Sequence, residues 1–538
     1  MYKVLNVDKY EELIKKHHIT SLAAKVMVNR NISFTNKIIE NESYKYKDMD
    51  KVISVILKAM SDNKKIAIYG DYDADGICAV SILYRTFKLM NYDVGYYVPN
   101  RYEDGYGLSS KIVKQMSEKG YSLLICVDNG IKAFESIDDA KSLGMDVLVL
   151  DHHQKDETYP NFDLLLHPEY SDFTEYNMCA ASICYFVSKA LLASEDEVCM
   201  ALAGIATIAD VMPLVEQNKL LASKAITYLN TKKYKAINYL NSDNKKYDEN
   251  TLGMVVIPKL NSIGRICKGN TANRLVNFLT SDNVEEIKKG ATFIEKTNEE
   301  RKKMTEDGFI SLDKGSYTSK IIVERSDNML EGINGIIAAR FTNKYKLPSI
   351  VFSLDETKQY YKGSARSIDE VNIIEILEKN GYIEQFGGHK GAAGLTIKRE
   401  NYEAFVAKIE EDCANYEYEE QVLEVIEVEK EELTYKAYED LLKLAPFGEG
   451  NPKPLFVIKE CDANFINKSK DGKHILMNIS KDASLVGFNL ANKLDRNIDK
   501  YDLIFRLEPN NMYQNKVSCV CISMEGINNV WTNNWEDK

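Results

Sequence analysis

The sequence predicts an α/β protein of several parts: a parallel-sheet domain, a long connecting helix, a smaller second α/β domain and a small C-terminal β-barrel. Three features predict it. Apolar runs alternate with amphipathic stretches through the first third, the mark of strands joined by helical crossovers. A charged stretch, IEKTNEERKKMTEDG (294–308), closes a largely helical middle. Beyond residue 441 short alternating strands replace helix. With 538 residues and ~150 residues per domain, three or four domains are expected rather than one.

In chain order, KIAIYG (65–70), VGYYV (94–98), LLICV (123–127) and VLVL (147–150) read as buried strands. Residues 76–91, 108–119 and 133–143 read as helices between them, which implies a parallel sheet with right-handed crossovers. From Cys179 to Glu300 the pattern is mainly helical, and the charged stretch is read as the connecting helix. IIVE, GIIAARFTNKY and SIVFS open a second α/β pattern near Lys320 that closes near Cys413. HILMNIS and SLVGFN are typical of the strands that follow. The expected limits are 1–215 for the first domain with an N-terminal extension, 216–315 for the helical region, 316–415 for the second domain and 416–538 for the barrel.

Composition excludes several classes. Hydrophobic residues make up 44% and charged residues 28%, ordinary values for a globular protein, so collagenous, disordered and coiled-coil readings fall away. No apolar run reaches the ~18 residues that would cross a bilayer, and the first residues lack the apolar stretch of a signal peptide. A cytoplasmic chain with no membrane partner is expected. The ten cysteines form no C-x-x-C pair, which favours reduced thiols over disulfides or zinc. Net charge is −12, but residues 401–440 alone hold 14 acidic and 3 basic side chains, so the rest is close to neutral and a basic groove elsewhere is compatible with it. That acidic segment is expected to be a solvated helix followed by an exposed strand.

The chemistry collects at strand ends. The first strand runs into Asp71-Tyr72-Asp73-Ala74-Asp75-Gly76, three carboxylates within five residues, which repel one another unless a cation neutralises them. A calcium loop is excluded, because its twelfth position needs a Glu and here is Ile82. The third strand ends in Asp128-Asn129-Gly130 and the fourth in Asp151-His152-His153. C-terminal ends of parallel strands share one edge, so these clusters must converge there. A single Asp after a strand usually caps a helix, but capping does not account for all three clusters. Asp210 lies in the otherwise apolar ALAGIATIADVMPL and needs a partner. Oxygen-rich donors with one or two imidazoles suit Mn²⁺ or Mg²⁺ better than zinc, and two such ions sharing a carboxylate activate water against phosphate esters.

GDYDADG, VDNG, DHH and TIADVMPL in that order resemble the DHH phosphoesterase superfamily. KGSARS (362–367) and FGGHKGAAG (386–394) resemble its companion DHHA1 domain, and PNRYEDGYGL, PKLNSIGRI and LAPFGEGNPKPLF resemble its RecJ branch. The resemblance covers about residues 45–525. It implies a 5′-to-3′ exonuclease on single-stranded DNA that releases mononucleotides, uses two divalent cations (Mn²⁺ or Mg²⁺) and carries an oligonucleotide-binding barrel. It further implies roles in recombination and repair beside a single-strand-binding protein and a helicase, and a monomer is expected. The ligand positions it implies are Asp73, Asp75, Asp128, His152 and Asp210. Asp71, Asp151 and His153 are the implied catalytic residues, Asp151 and His153 orienting the ligand histidine or meeting the scissile phosphate and Asp71 serving as an auxiliary ligand or a carboxylate behind the ligands. Tyr69 stands where some relatives place a ligand histidine, and LEGING (330–335) replaces a His-Pro-Gly-Val-Ile-Gly pattern common among them.

In the second domain Gly387, Gly388 and the neighbouring glycines let backbone N–H groups approach a phosphate, with His389 as a further donor. Ser364, Arg366, Arg101 and Arg265 are expected to hold substrate phosphates, because guanidinium forks match that geometry. Tyr102 and Tyr106 are candidate base-stacking residues, with plain packing as the alternative. His17, His18, His167 and His474 are expected to be structural. The competing functions are a superfamily phosphoesterase acting on short oligonucleotides or small nucleotides, and a non-catalytic scaffold of the same fold. Release of mononucleotides from a long single strand, rather than from a dinucleotide, separates the first two.

Overall fold

The computed structural model describes residues 1–31, 46–105, 107–154, 157–170, 177–418, 422–510 and 512–527. Tyr106 lies outside the described residues. The chain divides into two compact units, Glu42–Glu419 and Met1–Asn41 with Glu420–Lys538.

Numbering the strands of the larger unit in chain order, β1 (Lys65–Tyr69), β2 (Gly95–Tyr97), β3 (Tyr121–Val127), β4 (Asp146–Leu150) and β5 (Leu164–Leu166) form the first sheet. All pairs are parallel, in the order β2-β1-β3-β4-β5. β5, three residues long, was not foreseen in the sequence. Alternation along β1 explains why this sheet is covered on both faces: Ile66 and Ile68 enter one apolar cluster, Ala67 and Tyr69 the other. The order reverses beside β1, so the crevice between the ends of β1 and β3 is the topological switch point where ligands bind in such sheets.

Helices Ala180–Leu192, Glu197–Ala209, Glu216–Asn230, Ile257–Ile266 and Asn273–Thr280 extend the core of this sheet, and the charged stretch lies within one helix, Val284–Leu312. Its 29 residues span ~43 Å at 1.5 Å per residue. It leads into the second sheet, made of β6 (Ile322–Ser326), β7 (Ser349–Leu354), β8 (Tyr360–Arg366), β9 (Ile383–His389) and β10 (Ala392–Lys398). The order is β9-β10-β8-β7-β6, with only β6 and β7 parallel.

The smaller unit is built on an eight-stranded sheet: Tyr2–Val4, Leu423–Glu427, Phe456–Asp462, Lys500–Pro509, Val517–Ile527, Ala483–Gly487, Ile475–Asn478 and Asn467–Lys468, in spatial order. Two expectations change here. The N-terminal extension was grouped with the first domain, yet Tyr2–Val4 pairs in parallel with Leu423–Glu427. Leu22, Ala23 and Val26 of helix Ser21–Asn29 share a core with Phe456 and Phe505, and buried Lys25 pairs with Glu432 at 2.6 Å. Such pairing across the length of the chain leaves no local pattern to read. The strand expected to be exposed in the acidic segment is instead flanked on both sides, with Val425 fully buried.

Among the described residues no helix is long and apolar enough to cross a membrane. The ten cysteines are all unpaired, and all but Cys267 are buried.

Candidate active site

The D-x-D-x-D-G segment turns sharply from β1 into helix Ala74–Leu89. Asp73 is that helix's N-cap: its Oδ1 accepts the N–H groups of Asp75 (2.9 Å) and Gly76 (3.1 Å), which leaves the other oxygen for a ligand. Gly76 is required by close approach, since a Cβ there would lie 2.6 Å from the backbone of Asp71. Asp75 is buried, and its two oxygens each accept an N–H at 2.8 Å, from Ala180 and Ala181 at the start of the next long helix. Asn261 Oδ1 accepts the Ala74 N–H at 2.8 Å and ties the turn to helix Ile257–Ile266.

Asp128 follows β3 with φ of +61°, a left-handed conformation that Asp tolerates better than most residues. That twist turns its buried carboxylate back over the switch point. Asp151 follows β4 and is fully buried: its Oδ1 accepts the N–H groups of His152 (2.8 Å) and His153 (3.2 Å) and bonds His153 Nδ1 (2.8 Å), while Oδ2 accepts the Ile131 N–H at 3.1 Å. These bonds aim His152 inward. Its Nε2 lies 3.2 Å from Asp128, 3.4 Å from Asp210 and 3.7 Å from Asp75.

The electrostatics separate the roles. Burial, then the charge of Asp73, pushes Asp71 up to about 7 and Asp75 to about 6. Burial with Asp75 and Asp73 raises Asp210 to about 8, and burial with four neighbouring carboxylates drives Asp128 well above its ordinary value. Burial lowers His152 to about 3, so its imidazole is neutral and able to ligate a cation. For Asp151 burial acts upward, but the hydrogen bond and charge of His153 win and hold it below the usual carboxylate range. His153 responds in the opposite direction, raised to about 9 by Asp151 against its own burial.

Three donor groups have ligand atoms within 4.8 Å of one another: Asp71-Asp73-Asp128, Asp75-His152-Asp210 and Asp128-His152-His153. Asp128 and His152 each belong to two of them. Asp71 Oδ1 and Asp210 Oδ2 are buried without a hydrogen-bond partner among the described residues, a costly state that a cation would relieve. An oxygen-rich donor set with neutral imidazole suits Mg²⁺ or Mn²⁺.

The arginines meet nearby. Arg101 stacks 4.2 Å from the Tyr72 ring centroid and donates from Nε to Gly264 O at 3.2 Å. Arg265 donates to Gly332 O at 3.1 Å, while its own carbonyl accepts the Tyr102 hydroxyl. A Cβ at Gly332 would strike that Arg265 carbonyl, so the LEGING segment needs this glycine to lie against helix Ile257–Ile266. Tyr102 is thus occupied in holding Arg265.

On the second sheet, Arg366 and Ser364 share one face of β8. Ser364, Gly394 and Gly387 align in one row, and Arg366, Ala392 and His389 in the next. The glycine segment is a β-hairpin: Gly387, Gly388 and His389 belong to exposed edge strand β9, and Lys390-Gly391 alone form the turn. Nothing lies within 4 Å of where a Cβ would stand on Gly387 or Gly394, so their row has an open, side-chain-free floor leading to Ser364. No hydrogen bond among the described residues joins this hairpin to the carboxylate cluster.

Some positioning groups escaped the sequence. Tyr69 packs on the sheet face opposite Ile66 and Ile68, its hydroxyl donating to Gly107 O (3.1 Å) and accepting the Ser109 N–H (3.3 Å). It tethers the loop that carries Arg101 and is not placed as a ligand. His167, expected to be merely structural, bonds the backbone carbonyl of His153 through Nε2 at 3.0 Å. Ala180 and Ala181 act through backbone N–H groups, which no side-chain pattern reveals.

Three family descriptions match the chain in order: DHH family, N-terminal domain over residues 65–209; DHHA1 domain over 318–415; RecJ OB domain over 426–522. The single-stranded-DNA-specific exonuclease RecJ of Bacillus subtilis (strain 168) is 31% identical over an alignment of 510 positions that covers 90% of this chain and 64% of that protein. The chain therefore spans less than two thirds of that relative's length. The RecJ of Haemophilus influenzae is 26% identical over an alignment of 558 positions, gaps included, that covers 95% of each chain. RecJ in complex with Mn²⁺ from Thermus thermophilus has the same fold, with a TM-score of 0.86 at 21% identity over 98% of this chain and 80% of that one. In domain order and in sequence the chain is similar to RecJ proteins, with DHH, DHHA1 and RecJ OB matches following one another along it.

Proposed function

We propose that the chain is a divalent-metal-dependent exonuclease that degrades single-stranded DNA from its 5′ end to mononucleotides. The observation that carries it is the sharing of Asp128 and His152 between donor groups at the switch point, beside arginines held by neutral carbonyls. Asp73, Asp75, Asp128, His152 and Asp210 hold two cations, Mn²⁺ or Mg²⁺, with Asp71 as an auxiliary donor. Bound there, such ions polarise a water and offset charge on the phosphate under attack.

The chain's own residues do the rest. Asp151 keeps His153 protonated at neutral pH and points it at the scissile phosphate. Arg101 and Arg265 grip phosphates as preset forks. Ser364 and Arg366, with the open row through Gly387 and the hairpin residues Gly388 and His389, receive the terminal phosphate and so select the end from which cleavage proceeds. Residues 46–215, the helical region 216–315 and the domain 316–415 make up the catalytic machinery, and the segment from 416 onward, with the N-terminal residues that fold onto it, binds single-stranded DNA. The family further suggests recombination and repair in the cytoplasm beside a single-strand-binding protein and a helicase, with the chain as a monomer.

The test is to incubate a labelled single strand, a duplex and a dinucleotide with the protein and Mn²⁺. Mononucleotide release from the long single strand alone supports the proposal. Turnover of the dinucleotide alone moves the function to small nucleotide substrates.

A further inference from the structure

Four arginines from four different elements crowd one region, and among the described residues none is paired with a carboxylate. Arg101 follows β2, Arg265 lies at the end of helix Ile257–Ile266, Arg301 lies midway along Val284–Leu312 and Arg366 ends β8. Arg265 is the common neighbour: after burial, the charges of Arg101, Arg366 and Arg301 push it down to about 10. Each guanidinium is fixed by a neutral acceptor, namely Gly264 O, Gly332 O, Asn298 Oδ1 and Ala365 O for Arg101, Arg265, Arg301 and Arg366. Elsewhere in the same unit Arg85, Arg325, Arg340 and Arg399 all form ion pairs with Asp or Glu. Arg101 also feels the charges of Asp71 and Glu331, but Arg265, Arg301 and Arg366 are held by neutral groups, and like charges so held mark a site waiting for an anion.

Three of these arginines are already accounted for, and Arg301 is not. In sequence it is one cation in a charged helical stretch, where the ordinary role is a solvated face. Here its Nη2 donates to Asn298 Oδ1 at 2.6 Å, and Asn298 is 1% exposed. Its Nε is buried with no hydrogen-bond partner among the described residues, and an unmet buried donor is destabilising. Met304 and Phe309 of this helix share an apolar cluster with Ile266 and Ile333, which follow Arg265 and Gly332 in sequence. Packing therefore fixes where this helix presents Arg301.

We infer that Arg301, presented by Asn298, is a further phosphate-binding residue that shares with Arg265 an internal phosphate of a bound single strand. The inference rests on the single-strand reading above. Asn298 acts through Arg301 and is a positioning residue.

The experiment is equilibrium binding of a short 5′-phosphorylated single-stranded oligonucleotide to the full chain in EDTA, over a series of salt concentrations. Each phosphate contact adds about 0.7 to the slope of log affinity against log salt for single strands. Arg301→Gln should flatten the slope by about 0.7 and weaken low-salt binding about tenfold, as for loss of one charge-assisted bond. Arg301→Lys should keep the slope but lose affinity, because the charge stays and the fork goes. Asn298→Ala should do the same. Unchanged slope and affinity in Arg301→Gln overturn the inference while leaving the single-strand reading intact. Should that variant fail to fold, wild-type affinity in Arg301→Lys overturns it instead. Wild-type protein that does not bind the strand at all refutes the single-strand reading itself.

Discussion

Asp151 and His153 are locked together by a 2.8 Å hydrogen bond at Nδ1, and each shifts the other's protonation in the direction that keeps both charged. Against its own burial, His153 is raised to about 9 chiefly by the hydrogen bond and charge of Asp151, with smaller contributions from Asp71 and Asp210. Asp151→Asn removes that anion, so the His153 pKa should fall toward the ordinary ~6.5. The mutant-to-wild-type ratio of initial rates should therefore decline as pH rises from about 6.5 to 8.5, where only the wild type keeps the charge. A ratio flat with pH would mean that Asp151 orients the histidines without setting their charge.

Asp128 belongs to two of the three donor groups, and its left-handed backbone turns it over the switch point. Asp128→Ala should abolish hydrolysis while leaving single-strand binding nearly intact, because phosphate contacts outside the metals supply most of the affinity. Activity above about a tenth of wild type in saturating Mn²⁺ would refute a ligand role for Asp128 in both donor groups, since removing a transition-state interaction of several kcal/mol costs far more than tenfold.

Metal and pH should act on stability through the same carboxylates. Asp75, Asp71 and Asp210 sit at about 6, 7 and 8 in the folded metal-free chain, against ~3.9 unfolded. The folded state thus binds more protons than the unfolded one, so this stabilisation is complete below the unfolded value and is lost as pH rises through 6 to 8. His153 acts in the same direction up to about 9. In EDTA the melting temperature should fall between about pH 6 and 8.5, and Mn²⁺ should reverse the fall with release of protons. Both follow by thermal melting and calorimetry in two buffers of different ionisation enthalpy. A metal-free melting temperature that rises over this range would show that the cluster is not protonated as described.

Arg366 lies in the row beside Ser364, clear of the metal donors. Arg366→Ala should cost ~10- to 150-fold in kcat/KM on 5′-phosphorylated strands, the worth of one charge-assisted fork at about 1.5–3 kcal/mol. The loss should be smaller on 5′-hydroxyl strands, which have less charge to hold. Equal proportional losses at fixed salt would mean that Arg366 grips an internal phosphate or only supports the fold.

Much of this molecule was legible as sequence, because its signals are local. Strand period, helical spacing and carboxylates at strand ends specify a parallel sheet whose acidic edge must gather Asp73, Asp128 and His152, since parallel strands end on one side. Family motifs then attach a chemistry to that edge. Other features depend on contacts distant in the chain and only tertiary structure decided them. Tyr2–Val4 pairs with Leu423–Glu427, at the far end of the chain, so the N-terminal segment joined the wrong domain on paper. The glycine segment became a hairpin through pairing with β8, and the buried N–H groups that hold Asp75 belong to alanines whose side chains carry no signal. Tyr69 occupies a ligand's position in sequence but packs on the sheet face opposite Ile66 and Ile68, because alternation along β1 directs it there. Arg301 reads as solvated charge until the fold places it beside Arg265. Local patterns determine which elements form and which ends are reactive. Whether a given side chain meets a cation, a phosphate or only solvent depends on partners that the chain brings together after it folds.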